Sequence, residues 1–198
     1  MVDLQKFTLN SSVLRSFCYD IFMRPKVYIF RGAPAVGKGT VIPVFCKLLP
    51  KPVVLISQDA LRWDFHLIGR SVADITDDEH VFANQNTDLL FEQYLKNGTY
   101  TIVVEGLYTW DDQASSQGSA KRLVELARRY GYDAKSIVLR ADKEELLRRN
   151  RARSYTVPPD EFAMLYHNIY ANIGPHEVVV DSTNQAPEET FELLRPII

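Results

Sequence analysis

The sequence predicts an α/β fold in which short apolar strands alternate with helices and pair in parallel. Three observations predict it. Residues 27–48 read as strand, glycine-bearing turn and helix in immediate succession, with Y-I-F-R-G-A-P-A-V-G-K-G-T over Tyr28–Thr40. Four further apolar runs follow at Val53–Ile56, Tyr100–Val104, Ala134–Leu139 and Val178–Val180, separated by stretches of helical periodicity. Breakers stand where helices should stop: Pro50 and Pro52, Asn97-Gly98, Gly131 and Val157-Pro158-Pro159.

The composition is that of an ordinary globular protein. The 198 residues suffice for one domain with a sizeable core, and 1–198 is read as a single domain. Hydrophobic residues make up 46% and charged residues 24%. A net charge of -2 argues against nonspecific coating of nucleic acid. No apolar run reaches membrane-spanning length, and Arg15 and Asp20 interrupt the apolar stretch at 13–23, which no small-residue cleavage site follows. Neither membrane nor secretion is expected, and a cytoplasmic location is. Cys18 and Cys46 lack metal-ligand spacing and read as free thiols in a reducing compartment. His66, His80, His167 and His176 show no mutual spacing of a metal site and read as structural or surface residues.

The turn after the first strand carries the clearest chemistry. Gly32, Ala33, Pro34, Ala35, Val36, Gly37, Lys38, Gly39 and Thr40 form a small-residue loop opening a helix. Such a loop curls so that several N–H groups point at one anion, and the helix N-terminus adds partial positive charge. Lys38 supplies a full charge for the outer phosphates of a nucleotide. The hydroxyl expected directly after the lysine comes one residue later, because Gly39 precedes Thr40. Magnesium is assigned to Thr40, directly or through water.

Ahead of this loop, Asn10, Ser11 and Ser12 can cap a helix over about 10–23 with Val13, Leu14, Phe17, Cys18, Ile21 and Phe22 on its apolar side. The helix after the loop runs from Lys38 to about Leu48. Beyond the second strand, Ser57-Gln58-Asp59-Ala60-Leu61-Arg62 turns into a short helix where a parallel sheet presents its ligands. Asp59 and Arg62 share a helix face there, as either a cap with a surface arginine or an acceptor-side pair. Residues 69–80 are polar and acidic and read as a solvated connection. A helix of about sixteen residues follows, with Val81, Phe82, Leu89, Leu90, Tyr94 and Leu95 inward.

The third strand ends in Glu105-Gly106, an acidic residue placed to reach magnesium or its waters, or to cap or be solvated. Trp110 reads as packing over the loop at 108–118. Ser119–Tyr130 is an amphipathic helix, and Asp142 should cap the next one, with Leu146 and Leu147 inward. Between 121 and 153 eleven Lys/Arg face five Asp/Glu, whereas between 71 and 112 one lysine faces nine acids. Such asymmetry means placed charge. Arg149 and Arg153 lie four apart on one helix side, either as a solvated basic end or as two forks for a phosphoryl group. With the break at 157–159 and a helix over 160–170, residues 148–160 have the layout of a lid. The last strand closes with Asp181-Ser182-Thr183-Asn184, near where a nucleotide base would rest, and Pro187–Leu194 is the final helix.

These pieces resemble known kinases. The loop resembles that of nucleoside monophosphate kinases, where glycine likewise follows the lysine. Together with D-A-L-R at 59–62, E-L-L-R-R-N-R-A-R-S-Y-T-V-P-P-D-E-F at 145–162 and V-V-V-D-S-T-N-Q-A-P-E-E-T-F-E-L-L at 178–194, it resembles the polynucleotide-kinase-like and zeta-toxin-like branch of phosphate-loop kinases. Arg148–Tyr170 is similar to the lid of polynucleotide kinases. The resemblance implies a three-layer phosphate-loop NTPase fold with a five-stranded parallel sheet of order 2-3-1-4-5. It implies that Asp59 is the general base on an acceptor hydroxyl, that Arg62 contacts the acceptor phosphate or the phosphoryl group, and that Arg149 and Arg153 act on the donor phosphates. The expectation is a magnesium-dependent kinase using ATP or GTP on a small metabolite or nucleotide. A polynucleotide 5′-hydroxyl kinase and a nucleotide-hydrolysing module without acceptor are the alternatives. Glu-Gly at 105–106 departs from the family pattern at the acceptor pocket.

Overall fold

The computed structural model describes residues 25–66, 68–70, 74–111, 116–154 and 156–198, with the side chains of 65 and 66 outside that set. The expected helix over 10–23, Cys18 and Asp112 lie outside the described residues. Five strands, β1 (Lys26–Arg31), β2 (Val53–Ser57), β3 (Thr101–Gly106), β4 (Asp133–Arg140) and β5 (Val178–Asp181), form one parallel sheet. The spatial order is β2-β3-β1-β4-β5, as the resemblance implied. Central β1 reads as an apolar run because it is covered on both faces. Its side chains alternate: Tyr28 and Phe30 enter one core with Phe45, Leu139 and Phe162, while Val27 and Ile29 enter the other with Phe91, Ile102 and Leu123.

Helix α1 (Lys38–Leu48) follows β1 and stops before the prolines as expected. β2 leads into a helical turn at Gln58–Ala60 and a π-helical stretch at Leu61–His66. Helix α2 (Asp77–Asn97) has 21 residues, so the sixteen-residue expectation was too short. The missed signal is a capping box: Thr76 Oγ1 accepts from the Glu79 N–H at 3.3 Å while the Glu79 carboxylate accepts from the Thr76 N–H at 3.0 Å. The acidic stretch read as a connection thus supplies the first turn of the helix. Of the expected inward face, Leu95 is buried and Leu90 and Tyr94 pack against the core, but Phe82 and Leu89 do not belong to it. Ala83, Asn84, Thr87, Phe91 and Leu95 are buried, whereas Phe82 and Leu89 are exposed. Reading apolar side chains as the core missed that this face has polar work beneath β2 and β3.

Helix α3 (Ala120–Arg129) covers the same side of the sheet, capped by Ser119, whose Oγ accepts from the Arg122 N–H. Helices α4 (Lys143–Arg151) and α5 (Pro159–Tyr170) flank the proline break, and α6 (Pro187–Leu194) packs beside α1. Asp142 stands at the N-cap of α4, but its side chain makes no capping bond; its N–H instead donates to Thr183 Oγ1 at 2.9 Å. Trp110 lies against Gly174, where a Cβ would come within 2.4 Å of its ring, so it packs as expected. Cys46 is a half-buried free thiol. Among the described residues no helix is long and apolar enough to cross a membrane.

Candidate functional site

The carboxyl ends of β1, β2 and β3 open into a cavity of about 1340 Å³. Its walls include Lys38 and Thr40 from the loop, Asp59 and Arg62 after β2, Glu105 at the end of β3, and Arg149 and Arg153 beyond β4. The structure therefore brings the separately inferred residues to one space.

The loop is shaped by its backbone. Gly32 approaches the sheet so closely that a Cβ would stand 2.6 Å from the Leu139 carbonyl oxygen. Ala35 has φ 66° and Gly37 φ 101°, and the turn closes when the Thr40 and Val41 N–H groups donate to the Gly37 carbonyl at 3.0 Å. Alternating handedness of this kind lets successive amides face one point. Gly39 has open space where a Cβ would lie, so no packing demands glycine there. Lys38 is 8% exposed, and its ammonium donates to the Gly32 carbonyl at 2.8 Å. Burial pushes its pKa down, and the nearby Glu105 and Asp59 carboxylates oppose that shift. It is a charge held ready in a poorly hydrated position.

On the opposite side, Ser57 and not Asp59 caps the helical turn, its Oγ accepting from the Ala60 N–H at 3.2 Å. The same hydroxyl donates to Glu105 Oε1. Asp59 is thereby released from capping and stands half-buried on the cavity wall. Burial raises the Glu105 pKa, against the pull of Lys38. Arg62 is not a surface arginine. It is buried, donates to Asn84 Oδ1 at 2.9 Å, and its Nε has no partner among the described residues. Burial lowers its pKa and Asp59 opposes that shift.

Sequence reasoning missed what holds this half together. Gln58 is buried between β2 and β3, donating to Asn84 Oδ1 at 2.8 Å and to the Gln117 carbonyl at 2.7 Å, and accepting from the Leu107 N–H at 2.9 Å. Asn84 also donates to the Ser116 carbonyl at 2.8 Å. The departure at 105–106 now has a cause: a Cβ on Gly106 would stand 2.5 Å from Gln58 Oε1. No sequence spacing announces Gln58 or Asn84, because they are 26 residues apart and meet only across the sheet edge. His80 lines the cavity too, its Nδ1 buried without a partner among the described residues, so it is more than a surface histidine.

Arg149 is tied down: its Nε donates to Glu145 Oε1 at 2.7 Å and its guanidinium to the Ser182 carbonyl at 2.7 Å. Arg153 is exposed and makes no ion pair among the described residues. Asn184, at φ 55°, lies with Ala35, Gly37, Thr40 and Arg148 around an adjoining cavity of about 530 Å³. That cavity continues from the phosphate loop to the turn after β5.

Among the described residues no cluster of three or more His, Cys, Asp or Glu could cage a metal. Asp59, Glu105 and the Thr40 hydroxyl share the cavity with Lys38. Such hard oxygen donors suit magnesium, which keeps several waters and takes one or two carboxylates plus substrate phosphates.

A family model described as an AAA domain matches residues 27–165. Solved structures of the same fold include a gluconokinase from Sinorhizobium meliloti 1021 (18% identity, 85% of this chain and 88% of that one, TM-score 0.60). Thymidylate kinase from Candida albicans matches at 16% identity over 88% of this chain and 91% of that one, TM-score 0.60. A chain of the Pnkp1/Rnl/Hen1 RNA repair complex matches at 20% identity over 75% of this chain and 45% of that one, TM-score 0.56. With its sheet order, its glycine-lysine loop and this match over most of its length, the chain belongs to the AAA-domain family and has the fold of phosphate-loop kinases.

Proposed function

We propose that the protein is a kinase that moves the γ-phosphoryl group of ATP or GTP to a hydroxyl of a small metabolite or nucleotide. The observation that carries this reading is the convergence of Lys38, Asp59, Arg62, Glu105, Arg149 and Arg153 on one cavity. The loop amides and Lys38 hold the β- and γ-phosphates, and the turn at Asn184 borders the base. Magnesium, held by Glu105 or Thr40 with water between, would neutralise phosphate charge. The acceptor oxygen forms a bond to the γ-phosphorus as the bond to the β,γ-bridging oxygen breaks. Asp59 takes the hydroxyl proton. Arg153, without an ion pair among the described residues and lining the cavity, stabilises the equatorial oxygens in flight, and Arg149, held by Ser182, orients the donor. Alignment supplies most of the acceleration, so Asp59 acts chiefly through its position.

The test is a screen of hydroxyl acceptors with γ-labelled ATP and GTP in magnesium, comparing the parent with Asp59→Asn. Label on an acceptor with the parent alone is the expected result. Phosphorylation that survives Asp59→Asn removes Asp59 from the base role. Release of phosphate alone, with no acceptor labelled, favours the hydrolysing module. A second reading, a polynucleotide 5′-hydroxyl kinase, is supported by the exposed Arg148, Arg151 and Arg153 and by the likeness to the RNA repair chain. Activity on an oligonucleotide end that falls steeply with salt would favour it, because phosphate contacts release counterions.

A further inference from the structure

The end of α5 reaches back beneath the phosphate loop. The Ala33 N–H donates to the Tyr170 hydroxyl at 3.1 Å, and that hydroxyl donates to the Leu139 carbonyl at 2.8 Å. The direction is set by chemistry, since an amide only donates and the phenol has one proton. Burial raises the Tyr170 pKa, so the proton stays. The same Leu139 oxygen faces Gly32.

The residues around Tyr170 are fixed as well. Arg31, the last residue of β1, is fully buried and pairs with the Glu177 carboxylate at 2.7 and 2.5 Å. It also donates to the Ile169 carbonyl and, at 2.9 Å, to that of Asn172. Glu177 in turn accepts from Ser136 Oγ and the Gly174 N–H, both at 2.7 Å. Positions 31, 32 and 33 are thus gripped from β4 and from the end of α5. The Ala33 amide is spent on Tyr170 and Pro34 has none, so the anion is left to amides further along the loop.

We propose that Tyr170 is a positioning residue for the nucleotide: its hydroxyl pins the entry of the phosphate loop to β4, so that the remaining loop amides keep their aim before the nucleotide arrives. This rests on the reading that the loop binds a nucleoside triphosphate. Affinity gained this way comes from order established in advance rather than from a contact to the ligand.

Tyr170→Phe keeps the ring and removes both bonds. ATP and GTP, each titrated by calorimetry, should bind about tenfold more weakly to it, since one net hydrogen bond is worth roughly a factor of 2 to 12. Tyr166→Phe is the control, because that ring meets the Tyr170 ring at 4.9 Å without touching the loop amide. It should bind as the parent does. With an acceptor in hand, Tyr170→Phe should raise the nucleotide KM and leave kcat unchanged, a split that general loosening of the fold would not produce. Hydrogen exchange at Ala33 in the nucleotide-free parent should show protection, and this decides the matter alone if the variant fails to fold. Parent-like affinity in Tyr170→Phe, or unprotected exchange at Ala33, overturns the inference and leaves the proposed kinase standing. A parent that binds neither nucleotide ends both.

Discussion

The two sides of the cavity are built in opposite ways. The proposed donor side is a contiguous run, residues 32–40, whose shape comes from backbone: a close approach at Gly32, positive φ at Ala35 and Gly37, and one lysine. The proposed acceptor side is assembled from side chains of 57–62, Asn84 and Glu105 and from the backbone carbonyls of 116 and 117, tied together by Gln58 and Asn84. A backbone cradle suits a ligand part common to all nucleotides. A side-chain network suits a variable acceptor, because exchanging one member alters the pocket without disturbing the sheet.

Six substitutions can break or sharpen that contrast. The largest effect belongs to Asp59→Asn, which should lower transfer by on the order of 10² to 10⁴ while nucleotide affinity, read by calorimetry, stays put. Loss of both together would mean the two sides are not separable. Next is Arg153→Ala, expected to cost on the order of 10² or more in turnover with an unchanged melting temperature, because the side chain has no ion pair among the described residues. Arg149→Ala should cost turnover and some stability, since it also breaks the bond to Ser182. Unchanged turnover in both variants would refute the lid assignment.

Asn84→Ala leaves Gln58 and Arg62 with buried, unmatched donors and should cost ~1–3 kcal/mol by denaturant titration. Its acceptor KM should rise while the nucleotide KM holds; a change in the nucleotide KM instead would contradict the division. The smallest effect is Leu89→Ala. At 59% exposure it should stay within about 0.5 kcal/mol, whereas Phe91→Ala, two residues on and buried, should cost ~3–5 kcal/mol. Comparable losses at the two positions would restore the inward face first expected from the sequence.

The difference in legibility follows the same line. Gly32, Lys38 and the helix after them are neighbours in the chain, so local physics could be read directly. Strand β1 was legible because burial on both faces leaves an unbroken apolar run. The face of α2 was not, because its buried positions include Asn84 and Thr87, and hydrophobicity cannot report a face whose task is hydrogen bonding. The capping box at Thr76 and Glu79 is present in the letters, but the acids around it read equally as a solvated connection.

By itself the sequence determined the strand–loop–helix that opens the domain, the alternation that sets the fold class, and the points where helices stop. Each depends on residues within a few positions of one another, where sterics and periodicity act. Tertiary structure alone decided that Gly106 makes room for Gln58, and that Tyr170 and Arg31 hold the loop from behind. Those contacts join residues from 31 to 146 positions apart, and no local rule of the chain relates them before the sheet has formed.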